Sequence, residues 1–136
     1  MDTNSTSKEE SGLSAKMALC VAAFTMVGID GEFKEEELQK LRDLIHTDES
    51  AFVKAISFYN ERPLDVCIKV VTAKLNDEQK RITYQILYDL AQVDRDFAIS
   101  EQDLLEQYAA EFRLDKKYVS SIKDMPSHKY NLAAFE

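Results

Sequence analysis

Carboxylate side chains occur in two short acidic segments of this sequence, residues 30–37 and residues 94–103. Six of them are candidate ligands for a cation: Asp30, Glu32, Glu37, Asp94, Asp96 and Asp103. A site made only of oxygen ligands favours Mg²⁺, Mn²⁺ or Ca²⁺ over Zn²⁺. Acidic surfaces also attract basic protein patches. The sequence therefore predicts a site for a divalent cation or for a basic partner, shared by the two acidic segments.

The same carboxylates have a structural alternative. Asp30 and Asp94 follow predicted helices and would be turn residues, with Gly31 supplying a positive φ angle. Glu37 and Asp103 would lie in the first turns of the next helices, where a carboxylate opposes the helix dipole favourably. On this interpretation the acidic segments are helix ends and bind no metal.

Neither acidic segment is a complete calcium-binding helix–loop–helix. Placing Gly31 at loop position 6 puts Met26 and Gly28 at positions 1 and 3, where side-chain oxygens are required. Starting the second loop at Asp94 puts Leu105 at position 12, where a bidentate carboxylate is required. A calcium hand of this standard type is therefore not expected.

The acidic segments belong to a longer internal repeat. Asp94 lies 64 residues beyond Asp30, and Leu104 lies 66 residues beyond Leu38, so the second segment has two extra residues. The repeat predicts helix–loop–helix–helix, a linking helix, and the same unit again. Two such halves can pack around one core with pseudo-two-fold symmetry.

Apolar residues at three- and four-residue steps predict the helices that hold the acidic segments. The first is expected from Leu13 to Val27 and the second from Lys34 to His46. Capping and first-turn residues predict five further helix starts. These starts lie at or near Asp48, Pro63, Asn76 (with Gln79 completing a capping box), Ser100 and Asp115.

These elements predict one all-α domain of about seven helices over residues 12–125. The chain has 136 residues, and its three Gly and two Pro are few for a turn-rich β protein. Residues 1–11 are expected to be a frayed tail. Pro126 is expected to end regular structure and to begin a C-terminal tail over residues 126–136. Whether the aromatic residues of that tail pack on the bundle is left open.

Several side chains are assigned to the core or its edge. Cys20 and Cys67 are interpreted as buried small apolar residues. Phe33 and Ile99 are expected to pack the acidic segments against the core. Five tyrosines are expected at the core edge with their hydroxyls in water: Tyr59, Tyr84, Tyr88, Tyr108 and Tyr118.

The charge balance excludes several classes of function. The formal net charge of −8 argues against nucleic acid and against direct membrane association. The start of the chain lacks the basic and apolar regions of a signal peptide, which predicts a cytoplasmic protein. His46 and His128 have no recognisable nucleophile partner, and no phosphate-binding Gly-rich loop occurs, so we do not expect an enzyme.

The repeated acidic pattern resembles the TerB family of tellurite-resistance proteins. A helix ends in Asp-Gly-Glu-apolar, an acidic helix start follows, and a degenerate copy comes about 65 residues later. The resemblance covers residues 13–124, and this sequence departs from it at Arg95, where Gly is more typical. It implies an all-helical bundle, a role in tellurite and stress resistance, and action with other proteins in assemblies near the membrane. The six acidic positions named above carry over.

Overall fold

Helix-forming sequence with few turn residues gives a structure made of helices. The computed structural model describes residues 14–29, 35–45, 49–92, 99–124 and 132–135. Those ranges contain no strand, and the predicted all-α class is confirmed. They contain seven α-helices and a 3₁₀ helix: α1 Ala15–Val27, α2 Glu35–Ile45, α3 Glu49–Glu61, α4 Leu64–Lys74, α5 Asp77–Ala91, α6 Ile99–Glu111, α7 Lys116–Asp124 and 3₁₀ Leu132–Phe135. None of these helices is long and apolar enough to span a membrane.

Local sequence signals set most of the helix starts. The capping box of α5 is confirmed, because Gln79 N–H donates to Asn76 Oδ1 and Asn76 N–H donates to Gln79 Oε1, each at 2.8 Å. Pro63 is the N-cap of α4. The prediction that Ser100 caps a helix is wrong, since α6 already begins at Ile99. The predicted start at Asp48 lies outside the described residues.

Helix α1 lies at the centre of the bundle. Every residue from Ala18 to Val27 is buried, and α1 packs against α3, α4 and α5. A helix that is apolar on all sides is typical of such a central position. The sequence predicted one inward face for α1, whereas the helix is buried on all sides from Ala18 to Val27. The alanines at positions 18, 22 and 23 let the surrounding backbones approach α1 closely.

The two halves of the predicted repeat are not packed alike. The helices follow the order that the repeat predicts. In the first half α1 packs extensively on α3, but the equivalent helices of the second half, α5 and α7, have backbones that approach each other less closely. Equivalent positions also differ, because Glu35 is exposed and Glu101 is buried. The pseudo-two-fold symmetry therefore stays a prediction.

The end of the chain returns to the bundle, so the prediction that Pro126 ends regular structure is wrong. The 3₁₀ helix packs against α5, and Phe135 is only 4% exposed. Gln79 Nε2 donates a 2.7 Å hydrogen bond to the carbonyl oxygen of Ala134. Burial of Phe135 offsets the entropy of ordering this segment. The predicted frayed tail, residues 1–11, lies outside the described residues.

Two tyrosines contradict the expectation that their hydroxyls reach water. Tyr108 is completely buried, and its hydroxyl lies 2.8 Å from Thr25 Oγ1, which also donates to the Ala22 carbonyl oxygen at 2.6 Å. Tyr84 is 2% exposed. Tyr59, Tyr88 and Tyr118 are half-buried, as a core-edge position requires. Sequence spacing placed all five on apolar faces and gave no measure of how deeply each is covered.

These buried tyrosines predict an alkaline transition. Burial raises the pKa of Tyr84 to about 12 and also raises the pKa of Tyr108. A raised folded-state pKa contributes stability that is complete below the unfolded value of about 10 and is lost as the pH rises towards 12. We expect the last part of tyrosinate absorbance to appear together with the loss of helical circular dichroism.

The matching controls are Tyr84→Phe and Tyr108→Phe, each of which should remove part of that late absorbance change. Ionisation of every tyrosine before any helix is lost would contradict this prediction.

Candidate functional site

Most of the predicted cation ligands fall where the structure gives no description. Asp30, Glu32, Asp94 and Asp96 lie outside the described residues. Glu37 belongs to α2, but its side chain is not described. The remaining candidate, Asp103, is an exposed residue of α6. Convergence of the two acidic segments therefore stays a prediction.

The helices flanking the acidic segments limit how those segments could meet. Thr25, close to the end of α1, contacts Tyr108 in the C-terminal half of α6. The second acidic segment instead contains Ile99, the first residue of α6, at the opposite end of that helix. Tyr108 follows Ile99 by nine positions along the helix, which is on the order of 13 Å along the axis. A site shared by the two acidic segments would require the residues that follow α1 and α5 to cover most of this distance.

Glu101 is an acidic residue that the sequence analysis missed. It lies in the first turn of α6, near the end of the second acidic segment, and only 4% of it is exposed. Its spacing could have revealed it, because Leu104, Leu105 and Tyr108 follow three, four and seven residues later on the same buried face. A buried carboxylate is costly unless hydrogen bonds or charges compensate it. Among the acidic side chains of the two segments that the structure describes, Glu101 is the buried one, and Glu35, Glu36 and Asp103 are exposed.

Ile99 was expected to pack against the core, and that prediction is wrong. Ile99 is 75% exposed, because the inward face of α6 is occupied by Glu101 and the leucines that follow it. The corresponding Phe33 lies outside the described residues. A large apolar side chain within the second acidic segment is therefore exposed to solvent.

A cleft opens at the end of α1, just before the first acidic segment in the sequence. It encloses about 410 Å³ and is lined by residues that include Gly28, Ile29, Tyr59 and Arg62. Thr25 also lines the cleft, so the buried pair of Thr25 and Tyr108 lies directly behind it. Arg62 stacks over the ring of Phe58 at 3.9 Å from the ring centroid. The cleft thus combines polar and aromatic walls at the point where α1 ends.

The cysteines are not arranged for redox chemistry. Cys20 and Cys67 do not form a disulfide and have no exposed surface, which confirms their interpretation as buried apolar residues. Burial raises the pKa of the Cys67 thiol, and this reduces the fraction of reactive thiolate at neutral pH. Across the described ranges, no group of three or more His, Cys, Asp or Glu side chains is placed to hold a metal ion.

Comparison with known proteins identifies a family. The family model described as tellurite resistance protein TerB matches residues 15–124, from the first residue of α1 to the last residue of α7. No curated protein and no solved structure matches the chain.

Proposed function

This chain belongs to the TerB family of tellurite resistance proteins, and we propose that it works there as a non-enzymatic binding module. The two acidic segments bind either a divalent cation (Mg²⁺, Mn²⁺ or Ca²⁺) or a basic partner. The observation that carries the proposal is the burial of Glu101 at the start of α6. A buried carboxylate fixed beside a run of further carboxylates is suited to a positively charged ligand.

The charge of the chain supports the same proposal. A formal net charge of −8 raises the local concentration of cations and basic surfaces, and carboxylates from two segments can then hold them. Oxygen ligands select hard cations such as Mg²⁺ and Ca²⁺. Glu101 adds a seventh carboxylate to the six candidates named from the sequence.

An alternative function is a protein–protein interaction scaffold with purely structural acidic segments and no metal. The observation that favours it is Ile99, a large apolar side chain within the second acidic segment that is 75% exposed. Exposed apolar side chains with a polar rim are typical of protein contacts. On this alternative the partners are other proteins of a cytoplasmic, membrane-associated stress complex.

Calorimetric titration of chelator-stripped protein separates the two proposals. We expect saturable heat with at least one of Ca²⁺, Mg²⁺ and Mn²⁺, and a loss of affinity of about tenfold or more in Asp30→Asn and Asp94→Asn proteins. Glu101→Gln should weaken binding too, whereas Asp65→Asn, an exposed change in α4, should leave it unchanged.

Flat traces with all three ions would rule out the cation site. Protein partners that remain bound in the presence of a chelator, and in Asp30→Asn and Asp94→Asn proteins, would support the scaffold instead.

A further inference from the structure

A short segment near the end of the chain docks on α5 through two kinds of contact. This docking segment, Leu132–Phe135, is one turn of 3₁₀ helix that packs against α5. Phe135 is 4% exposed and belongs to the hydrophobic core, and Leu132 and Ala134 are packed against that core in part. Gln79 Nε2 donates to the Ala134 carbonyl oxygen at 2.7 Å. The surface around Gln79 that receives the segment, here called the docking site, therefore recognises an aromatic ring and a backbone acceptor.

The hydrogen-bond donor of the docking site is oriented by α5 and not by the segment. Gln79 lies in the first turn of α5, where its Oε1 accepts from Asn76 N–H at 2.8 Å in the capping box. This bond fixes the plane of the side-chain amide, and with it the direction of Nε2. A donor that is already oriented binds its acceptor at a lower cost in entropy.

An empty docking site is unfavourable. With the segment docked, only 8% of Gln79 and 4% of Phe135 are exposed. Departure of the segment uncovers apolar surface and removes the acceptor from Gln79 Nε2. Both losses are recovered by any segment that brings the same ring and the same carbonyl group. A second copy of this chain carries an identical segment.

The connection to the docking segment permits such an exchange. Residues 125–131 join α7 to the segment, and seven residues span at most about 25 Å. The bond between Gln79 and Ala134 joins residues 55 positions apart, so it depends on packing and not on local chain continuity. The segment of a neighbouring molecule can therefore make the same contacts when α7 of one copy lies near α5 of the other. Exchange of an identical element between two copies is a low-cost route to a dimer.

We propose that the docking site on α5 binds the Leu132–Phe135 segment of a second copy, so that two chains exchange segments and form a symmetric dimer. At low concentration each chain fills its own docking site, because a short connection gives an effective concentration in the millimolar range. A higher protein concentration, or the loss of a chain's own contact, lets the segment of the second copy take its place. The acidic segments take no part in this interaction, which is separate from the proposed cation site.

Fluorescence anisotropy with a labelled peptide of residues 125–136 tests whether the docking site accepts the segment from another molecule. The receiving protein is full-length Phe135→Ala, whose own segment lacks the ring. We expect a dissociation constant on the order of 10–100 µM. The unsubstituted chain should bind the peptide at least about tenfold more weakly, because its own segment competes. A peptide carrying Phe135→Ala is the matched control and should not bind.

Light scattering by the unsubstituted full chain tests the exchange without a variant that could unfold. We expect monomers at about 10 µM and a substantial fraction of dimers at about 1 mM, where a second copy competes with the chain's own segment. Phe135→Ala protein should stay monomeric at both concentrations. Val53→Ala, which removes an exposed apolar side chain from α3, should dimerise as the unsubstituted chain does. Asp30→Asn, Asp94→Asn protein should dimerise too, so this test and the cation test fail independently.

Two complementary variants distinguish segment exchange from a contact between other surfaces. Phe135→Ala keeps the docking site and loses the ring. Gln79→Glu keeps the ring and replaces the donor with a second acceptor that faces the Ala134 oxygen. A mixture at about 200 µM restores one intact pair of segment and docking site, so it should give more resonance energy transfer between labelled chains than either variant alone.

The absence of saturable peptide binding would overturn the proposal, as would equal binding by the unsubstituted chain and by Phe135→Ala protein. An unsubstituted chain that stays monomeric at about 1 mM would show that the segment docks only on its own chain. A Phe135→Ala protein that dimerises as well as the unsubstituted chain would place the dimer contact elsewhere. Energy transfer that is no greater in the mixture than in the single variants would lead to the same conclusion.

Discussion

Replacing Tyr108 with alanine is expected to destabilise the protein by about 3–5 kcal/mol, the usual range for a large aromatic side chain deleted from a core. Tyr108 is completely buried, and its ring lies 5.4 Å from that of Phe112 between centroids. Its hydroxyl also joins α6 to α1 through Thr25. Urea denaturation followed by circular dichroism measures the change in the free energy of unfolding.

Conservative variants divide this effect into packing and hydrogen bonding. Tyr108→Phe keeps the ring, and we expect a cost of only about 1 kcal/mol for the lost hydrogen bond. Thr25→Val leaves the Tyr108 hydroxyl buried without its partner and should cost about 1–3 kcal/mol. The double variant should cost less than the sum of the two single changes. A cost below about 1 kcal/mol for Tyr108→Ala would contradict the observed packing.

Replacing Phe135 with alanine is expected to destabilise the protein by about 2–3 kcal/mol, although this residue is the second last of the chain. Phe135 is 4% exposed and fixes the 3₁₀ helix against α5. Truncation after Asn131 should have nearly the same effect, because little else is expected to hold the segment once the ring is lost. Urea denaturation of both proteins measures the two costs.

Two variants serve as controls for this second prediction. Phe135→Leu keeps an apolar side chain of similar reach and should retain most of the stability. Gln79→Glu preserves the acceptor of the α5 capping box but removes the donor to the Ala134 oxygen, so it should cost about 1 kcal/mol. If Phe135→Ala changed the unfolding midpoint no more than Phe135→Leu, the segment would contribute nothing to the fold.

The helices were predictable because their signals are local. The capping box at Asn76 and Gln79 fixed the start of α5, and apolar steps located α1. The depth of burial was not predictable in the same way. Thr25 and Tyr108 are 83 residues apart in the sequence, and only the packing of α1 against the other helices makes them partners. The same reason explains why the position of Ile99 was predicted wrongly.

The candidate sites also combine residues that the local sequence identifies with contacts that only tertiary packing creates. The acidic segments stand out in the sequence because six carboxylates recur at matched spacing, but their convergence depends on how α1 and α5 pack. Glu101 could have been recognised from its spacing to Leu104 and Leu105.

The central position of α1 has a consequence for synthesis of the protein. Helix α1 is made before the helices that cover it, and the last of these, α5, ends only at Ala91. Until then a nascent chain carries ten residues, Ala18 to Val27, that the finished fold shields completely. Exposed apolar segments of this kind aggregate or recruit chaperones. The feature that organises the finished bundle therefore makes the incomplete chain the most vulnerable form of the molecule.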